Sequence, residues 1–478
     1  MNDARPSTTV GFTRRHFLHA AGAAAITAAA YRRVLGANER VGVGFIGYGL
    51  IGKRHLLDFQ EQPDVNCVAV SDAHRGRVDE AKGLMGGDAR GFADFRKLLE
   101  DRAVDAVVVS TPDHWHALMT MMACAAGKDV YVEKPLSLFI REGRWMIDVA
   151  QRTGRIVQVG TQQRSGPHYQ RARELIRNGH IGAITSVRMQ AHRNIVPGFG
   201  SPADCPPPPE LDWESFLGPA PSRPYNPNRG IYHFRWFWDY SGGQMTNLGH
   251  HSLDILHWVL GVDPKAVTSI GGRFVLEDNG ETPDTQDAMF EFGKVSREQS
   301  DGSPNEAATK GFTAIWSHRE ASAGGKVANM EFFGTKGSLA INRTGFVIAP
   351  DKKVPPQNRI PSFAGAHPVG GPQPVALSGP DEFWTEVLED KGNDRDQFTR
   401  HVRNFLDCVK SRAVPISNLE SGHRVSTMSH LANLSLRLDR KLRWDSQREE
   451  IIDDPAANEH LVRPYRAPWD RELRALLT

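Results

Sequence analysis

Three groups of residues in this sequence have the types and spacing to do chemistry. The first is Gly47-Tyr48-Gly49-Leu50-Ile51-Gly52, which follows the apolar run Val41 to Ile46 and opens a stretch of helical pattern. Asp72 ends the next apolar run, 20 residues past Gly52. In that context glycines allow a tight turn and close approach of a phosphate, a helix N-terminus meets the pyrophosphate, and a carboxylate takes the ribose hydroxyls. The group reads as a dinucleotide grip. Asp72 repels a 2′-phosphate, which favours NAD over NADP, and His74 and Arg75 lie near enough in the chain to soften that preference.

The second group is Thr111-Pro112, with His116 shortly after, and Glu133-Lys134-Pro135; each set follows an apolar run of strand length. In an open α/β sheet the carboxyl ends of the strands line the ligand crevice. Lys134 is therefore a candidate ammonium beside the nicotinamide, able to deprotonate a substrate hydroxyl if burial lowers its pKa. The third group is Asn247, His251 and Asp254, at i, i+4 and i+7, which share one face of a regular helix. His250, next in the chain, is an additional candidate for substrate contact.

The elements that must position these groups follow from the patterning. Apolar runs at 41–46, 65–71, 104–110, 128–133 and 154–160 alternate with helix-length segments, as in βαβ units with a parallel sheet. Beyond residue 161 the runs lengthen and alternate, at 184–194, 266–276, 287–293, 311–318, 327–334 and 337–343. Long strands without crossover helices indicate a large, mostly antiparallel open sheet. Segments 396–412 and 421–441 are amphipathic helices, and inserts at 294–310 and about 350–380 are polar or rich in Pro and Gly, as in surface loops. The expected fold is α/β: a Rossmann domain over 38–161, an α+β substrate and oligomerisation domain over 162–445, and a C-terminal tail over 446–478.

Composition narrows the function classes. The 58 Lys plus Arg against 56 Asp plus Glu leave a net charge of +2, which argues against nucleic-acid binding through a bulk basic field. Apolar runs of membrane-spanning length are missing. Cys67, Cys124, Cys205 and Cys408 are far apart, with neither disulfide nor metal-site spacing, so no metal is expected. At the N-terminus Arg14-Arg15 precede Phe17-Leu18 and an Ala-rich stretch to Ala30, over a signal region of residues 1–37. That pattern resembles a twin-arginine signal, which exports folded proteins and implies a periplasmic destination. Cleavage near Ala30, cleavage near Ala37 and no cleavage all remain open.

GYGLIG, Thr111-Pro112 with His116, and Glu133-Lys134-Pro135, in that order, resemble the Gfo/Idh/MocA family, which includes glucose–fructose oxidoreductases and inositol dehydrogenases. "LDWESFLGPAP" (211–221) and "SGGQMTNLGHHSLDIL" (241–256) are similar to later blocks of the family, so the resemblance spans about residues 40 to 445. It implies cofactor contacts from Glu133 and Gln162 and a substrate contact from Arg164. It also implies proton exchange at His251, with Asn247 standing where the family commonly has Asp. The expected function is an NAD(P)-dependent oxidoreductase moving a hydride between a sugar, glycoside or polyol carbon and a nicotinamide. The expected assembly is a homodimer or homotetramer. Export in the folded state implies a tightly held, internally recycled cofactor. The alternatives are an NAD-dependent glycoside hydrolase using transient oxidation and a non-catalytic sugar sensor.

Overall fold

The computed structural model describes residues 40–297, 305–323, 329–353 and 382–478. The signal region lies outside the described residues, as do the central parts of both inserts.

The first sheet comprises β1 (Val41–Ile46), β2 (Val65–Ser71), β3 (Arg90–Phe92), β4 (Ala106–Val109), β5 (Asp129–Val132) and β6 (Val157–Val159). All its pairings are parallel, in the order β3-β2-β1-β4-β5-β6. Every residue of β1, β4 and β5 is buried, which is why these strands read as continuous apolar runs and not as alternating ones. The strand order reverses between β1 and β4, and ligands of such sheets bind at that switch point.

The second sheet comprises β7 (Ile184–His192), β8 (Pro264–Gly272), β9 (Thr285–Phe292), β10 (Phe312–Arg319), β11 (Asn329–Gly334), β12 (Gly337–Asn342), β13 (Gly345–Pro350), β14 (Leu388–Lys391), β15 (Leu442–Asp445) and β16 (Glu450–Ile451). Its order is β14-β13-β12-β11-β7-β10-β9-β8-β15-β16, and β7 with β10 is its one parallel pair among the described residues. One face packs on the helices His250–Leu260 and Leu419–Arg437 through Trp316, Phe290, Val187 and Met428. The other leaves Ile270 and Met289 exposed. β8 stops earlier than its apolar run suggests. Asp284 Oδ2 accepts from the amides of Phe274, Val275 and Leu276 at 3.0, 2.8 and 2.9 Å, replacing ladder bonds with a side-chain anchor.

The packing does not follow the linear division read from sequence. Val402, Phe405 and Leu406 of the helix Asp394–Ser411 share a core with Val43, Phe45 and Tyr131 of the first sheet. Arg403 and Lys410 hold the buried Asp64 at 2.7 and 2.5 Å. Residues 446–478 are not a tail. Tyr465 and Leu473 enter the core around Val107 and Met146, and Tyr465 Oη donates to Glu142 Oε1 at 2.8 Å.

Candidate functional site

A cavity of about 760 Å³ opens at the carboxyl ends of the parallel strands. Gly47, Gly49, Leu50 and Ile51 line it after β1, Asp72 after β2, Thr111 and Pro112 after β4, Glu133 and Lys134 after β5, and Gln162 after β6. Tyr48 and Gly52 support the turn from behind. The Tyr48 amide donates to Asp72 Oδ2 at 2.7 Å, and a Cβ on Gly52 would lie 2.3 Å from Gly47 O. Gly47 has φ +88°, a backbone that needs glycine.

The residues present fit a dinucleotide. A Cβ on Gly49 would meet only Arg77 Nη1, at 3.8 Å, so the space beside this glycine is cavity. The helix Leu50–Gln60 starts with no side-chain cap and no acidic residue in its first turn, leaving its amides for an anion. Thr111 Oγ1 is buried without a protein partner. Asp72 spends one oxygen on the Tyr48 amide and the other on the His74 amide, at 2.8 Å, which fixes its carboxylate at the ribose position. His116 ties two of the loops together, with ring nitrogens 2.6 Å from Pro135 O and 2.9 Å from Thr111 O.

The second domain closes the cavity over Lys134. Lys134 Nζ donates to Asn247 O at 2.8 Å and to Asn247 Oδ1 at 3.0 Å. Burial lowers its pKa to about 8, against the opposing pull of Glu133. Glu133 is itself engaged elsewhere, by His55 Nε2 and Gln162 Nε2, both at 2.7 Å. Burial raises its pKa, but the His55 bond and charge more than offset this and the net direction is down. Asn247 Nδ2 donates to Gln244 Oε1 at 3.2 Å, so its amide orients Lys134 and not the imidazole.

His251 also lines the cavity, with its Nε2 3.4 Å from Arg343 Nη2. A guanidinium only donates, so Nε2 is an acceptor and the proton sits on Nδ1. Burial first, then the charges of Lys134 and Arg343, push the His251 pKa well below its ordinary value. It is a neutral imidazole and a weak base.

Three expected substrate contacts lie elsewhere. Arg164 and Asp254 form a buried bidentate pair, with Nε 2.9 Å from Oδ2 and Nη2 2.6 Å from Oδ1. His250 is fully buried. None of the three lines the cavity. Met245–Gly249 is a π-helical turn, and the α-helix proper starts only at His250. Asn247, at the π-helical turn, and His251, in the first turn of the α-helix, both reach the cavity, while Asp254, three residues further along that α-helix, is drawn to Arg164.

Comparison with known proteins decides the affiliation. The NAD-binding Rossmann-fold profile of the Gfo/Idh/MocA oxidoreductase family matches residues 41–161, and the profile of its C-terminal α/β domain matches 198–304 and 386–471. The chain belongs to this oxidoreductase family. Among its relatives, myo-inositol 2-dehydrogenase of Thermotoga maritima is 23% identical over 86% of this chain and 99% of the relative. Inositol 2-dehydrogenase of Klebsiella pneumoniae is 29% identical over 53% of this chain and 64% of its own length. The structure of levoglucosan dehydrogenase with NADH and L-sorbose shares the fold, with a TM-score of 0.61 and 20% identity over 85% of this chain and 99% of that one.

Several cavity residues of this Gfo/Idh/MocA chain carry no sequence signal of their own. Arg343 arrives from the two-residue turn between β12 and β13, Arg235 from the 3₁₀ turn His233–Trp236, and Trp469 from the last helix. Trp469 stacks on Phe95 and meets Trp115 edge-on at 4.8 Å, forming part of the cavity wall. Arg77 and Arg96, not the expected Arg75, are cations lining the cavity, with Arg96 lying over the Trp469 ring. Of the aromatic run 232–240, Tyr232 and Phe234 line the cavity, while Phe237 and Tyr240 are core. Among the described residues no cluster of His, Cys, Asp and Glu could hold a metal, and no helix is long and apolar enough to cross a membrane.

Proposed function

We propose that this enzyme oxidises and reduces a hydroxyl-bearing carbon of a sugar, glycoside or polyol with NAD as hydride partner. The observation that carries this reading is the position of Lys134, whose ammonium is held by Asn247 at the junction of the two domains with a pKa of about 8. A base with a pKa near the working pH is the most effective proton acceptor for a hydroxyl. NAD, held by Gly47 to Gly52, Asp72, Thr111, Pro112 and Gln162, supplies the hydride acceptor. Lys134 takes the hydroxyl proton, and neutral His251 lines the substrate space beside Arg343. The carboxylate of Asp72 favours NAD over NADP, with Arg77 at 4.0 Å to moderate the preference. The names of the relatives, inositol and levoglucosan dehydrogenases, support the substrate class.

Cofactor retention is part of the proposal. The Trp469 wall favours retention of NAD, and the Arg14-Arg15 signal favours export to the periplasm in the folded state, so that a retained cofactor is recycled. The exposed sheet face with Ile270 and Met289 is the surface proposed for a homodimer or homotetramer. Because retained cofactor must be restored within each turnover, glycoside cleavage through transient oxidation is the second reading. Native mass spectrometry of the purified protein, followed by a panel of sugars, glycosides and polyols with absorbance read at the NADH band, tests all of this. Bound NAD that is reduced by a panel member supports the reading. Protein that neither carries nor binds NAD overturns it. NADH released one-for-one with product removes the recycling and hydrolytic versions.

A further inference from the structure

The cavity holds more positive charge beside Lys134 than its own carboxylates balance. Arg235 makes no ion pair among the described residues. Its Nη1 donates to the carbonyl of Tyr232 at 3.0 Å, and its guanidinium lies over the rings of Phe234 and Tyr232, 4.5 and 5.1 Å from their centroids. Arg343 has a single long ion-pair contact, 3.5 Å to Asp394 Oδ1, and otherwise faces neutral His251. Lys134 bonds only to the two neutral oxygens of Asn247.

Among the described residues no carboxylate forms an ion pair with Lys134 or Arg235, although the charges of Glu133 and Asp113 act on both. Glu133 is turned to His55 and Gln162. Asp113 is buried and accepts from Ser241 Oγ at 2.5 Å, and burial pushes its pKa upward, toward the uncharged form. Burial likewise lowers the pKa of Arg235, with Asp113 the main opposing charge, a cation held without a full partner. The oxidised nicotinamide ring adds a further positive charge. The dinucleotide phosphates belong at the Gly47–Gly52 turn, whereas the charged groups acting on Arg235 are Asp113, Arg193 and Glu133. A neutral sugar leaves this imbalance standing, and an anion relieves it.

We infer that the substrate is a sugar or polyol bearing an anionic group, a carboxylate or a phosphate, received by Arg235 and Arg343 while Lys134 addresses the reacting hydroxyl. This rests on the oxidoreductase reading above and names its substrate class. The planar forks of both residues suit bidentate recognition of either group.

The test uses the full-length, NAD-loaded protein. Inositols and aldohexoses are compared with the corresponding uronates, aldonates and 6-phosphates, reading reduction of bound NAD at the NADH band. The expected result is a kcat/KM for one anionic class at least about 30-fold above its neutral parent. Uronates and aldonates preferred over 6-phosphates identify a carboxylate as the anion, and the reverse order a phosphate. Arg235→Gln and Arg343→Gln, checked for retained NAD and unfolding temperature, each reduce that preference by about 10-fold or more through KM. Neutral sugars that react as well as their anionic counterparts, or a preference untouched by both variants, overturn the inference while leaving the oxidoreductase reading in place. Absence of hydride transfer from every compound overturns that reading as well.

Discussion

Lys134 Nζ lies 3.0 Å from Asn247 Oδ1, joining the loop after β5 of one domain to a π-helical turn of the other. The partner is a neutral amide, and this sets the chemistry. An amide oxygen orients the ammonium without stabilising its charge as a carboxylate would, so burial prevails and the pKa falls to about 8.

A pH dependence follows from that contact. Lys134 accepts a proton only in its neutral form, so kcat/KM rises with pH and levels off above about 8. Asn247→Asp places a carboxylate against the ammonium, which raises the pKa of Lys134 by about 1–3 units and moves the limb upward. At pH 7 the variant is slower by about 10-fold or more, because each unit costs a tenfold fraction of neutral lysine. A pH–rate profile of both proteins checks this. An unmoved limb contradicts it.

Two glycines of one motif have separable roles. A Cβ on Gly49 meets only Arg77 Nη1, whereas one on Gly52 runs into Gly47 O at 2.3 Å and Ser110 Oγ at 2.9 Å. Gly49→Val therefore abolishes dinucleotide binding with little change in the unfolding temperature of the cofactor-free protein. Gly52→Ala destabilises the fold itself by about 1–3 kcal/mol. Calorimetric NAD titration and thermal unfolding of both variants distinguish the two effects.

The Arg164–Asp254 pair is buried on both sides, with side chains 3% and 1% exposed. Removing one partner strands a charge, so Asp254→Ala lowers stability by about 3–5 kcal/mol. It leaves the KM of the folded enzyme unchanged, since the pair does not line the cavity. A raised KM at unchanged stability would return Asp254 to the substrate site.

The parts of this molecule legible in the sequence are those whose cause is local. The GYGLIG turn and Asp72 announce themselves because turn, helix start and carboxylate sit within one βαβ unit, and the buried strands β1 and β4 are apolar throughout. What stayed hidden depends on distant packing. Arg343 and Trp469 reach the cavity from segments 209 and 335 residues beyond Lys134 in the chain. β14, with the sequence Leu-Glu-Asp-Lys, has no strand pattern and pairs only because β13 offers it an edge. The i, i+4 spacing of Asn247 and His251 does bring both to the cavity, whereas Asp254 is claimed by Arg164, a partner 90 residues away that spacing could not reveal. His116 both lines the cavity and braces two of its loops through its ring nitrogens.

The most direct measurement is a single-turnover reduction of bound NAD by a saturating reactive substrate, in the wild type and in Lys134→Met at pH 8. The account predicts that the variant retains its NAD and the wild-type unfolding temperature, and that the rate of appearance of the NADH band falls by about 100-fold or more. A Lys134→Met enzyme that reduces its bound NAD at the wild-type rate would contradict the assignment of Lys134 as the proton acceptor.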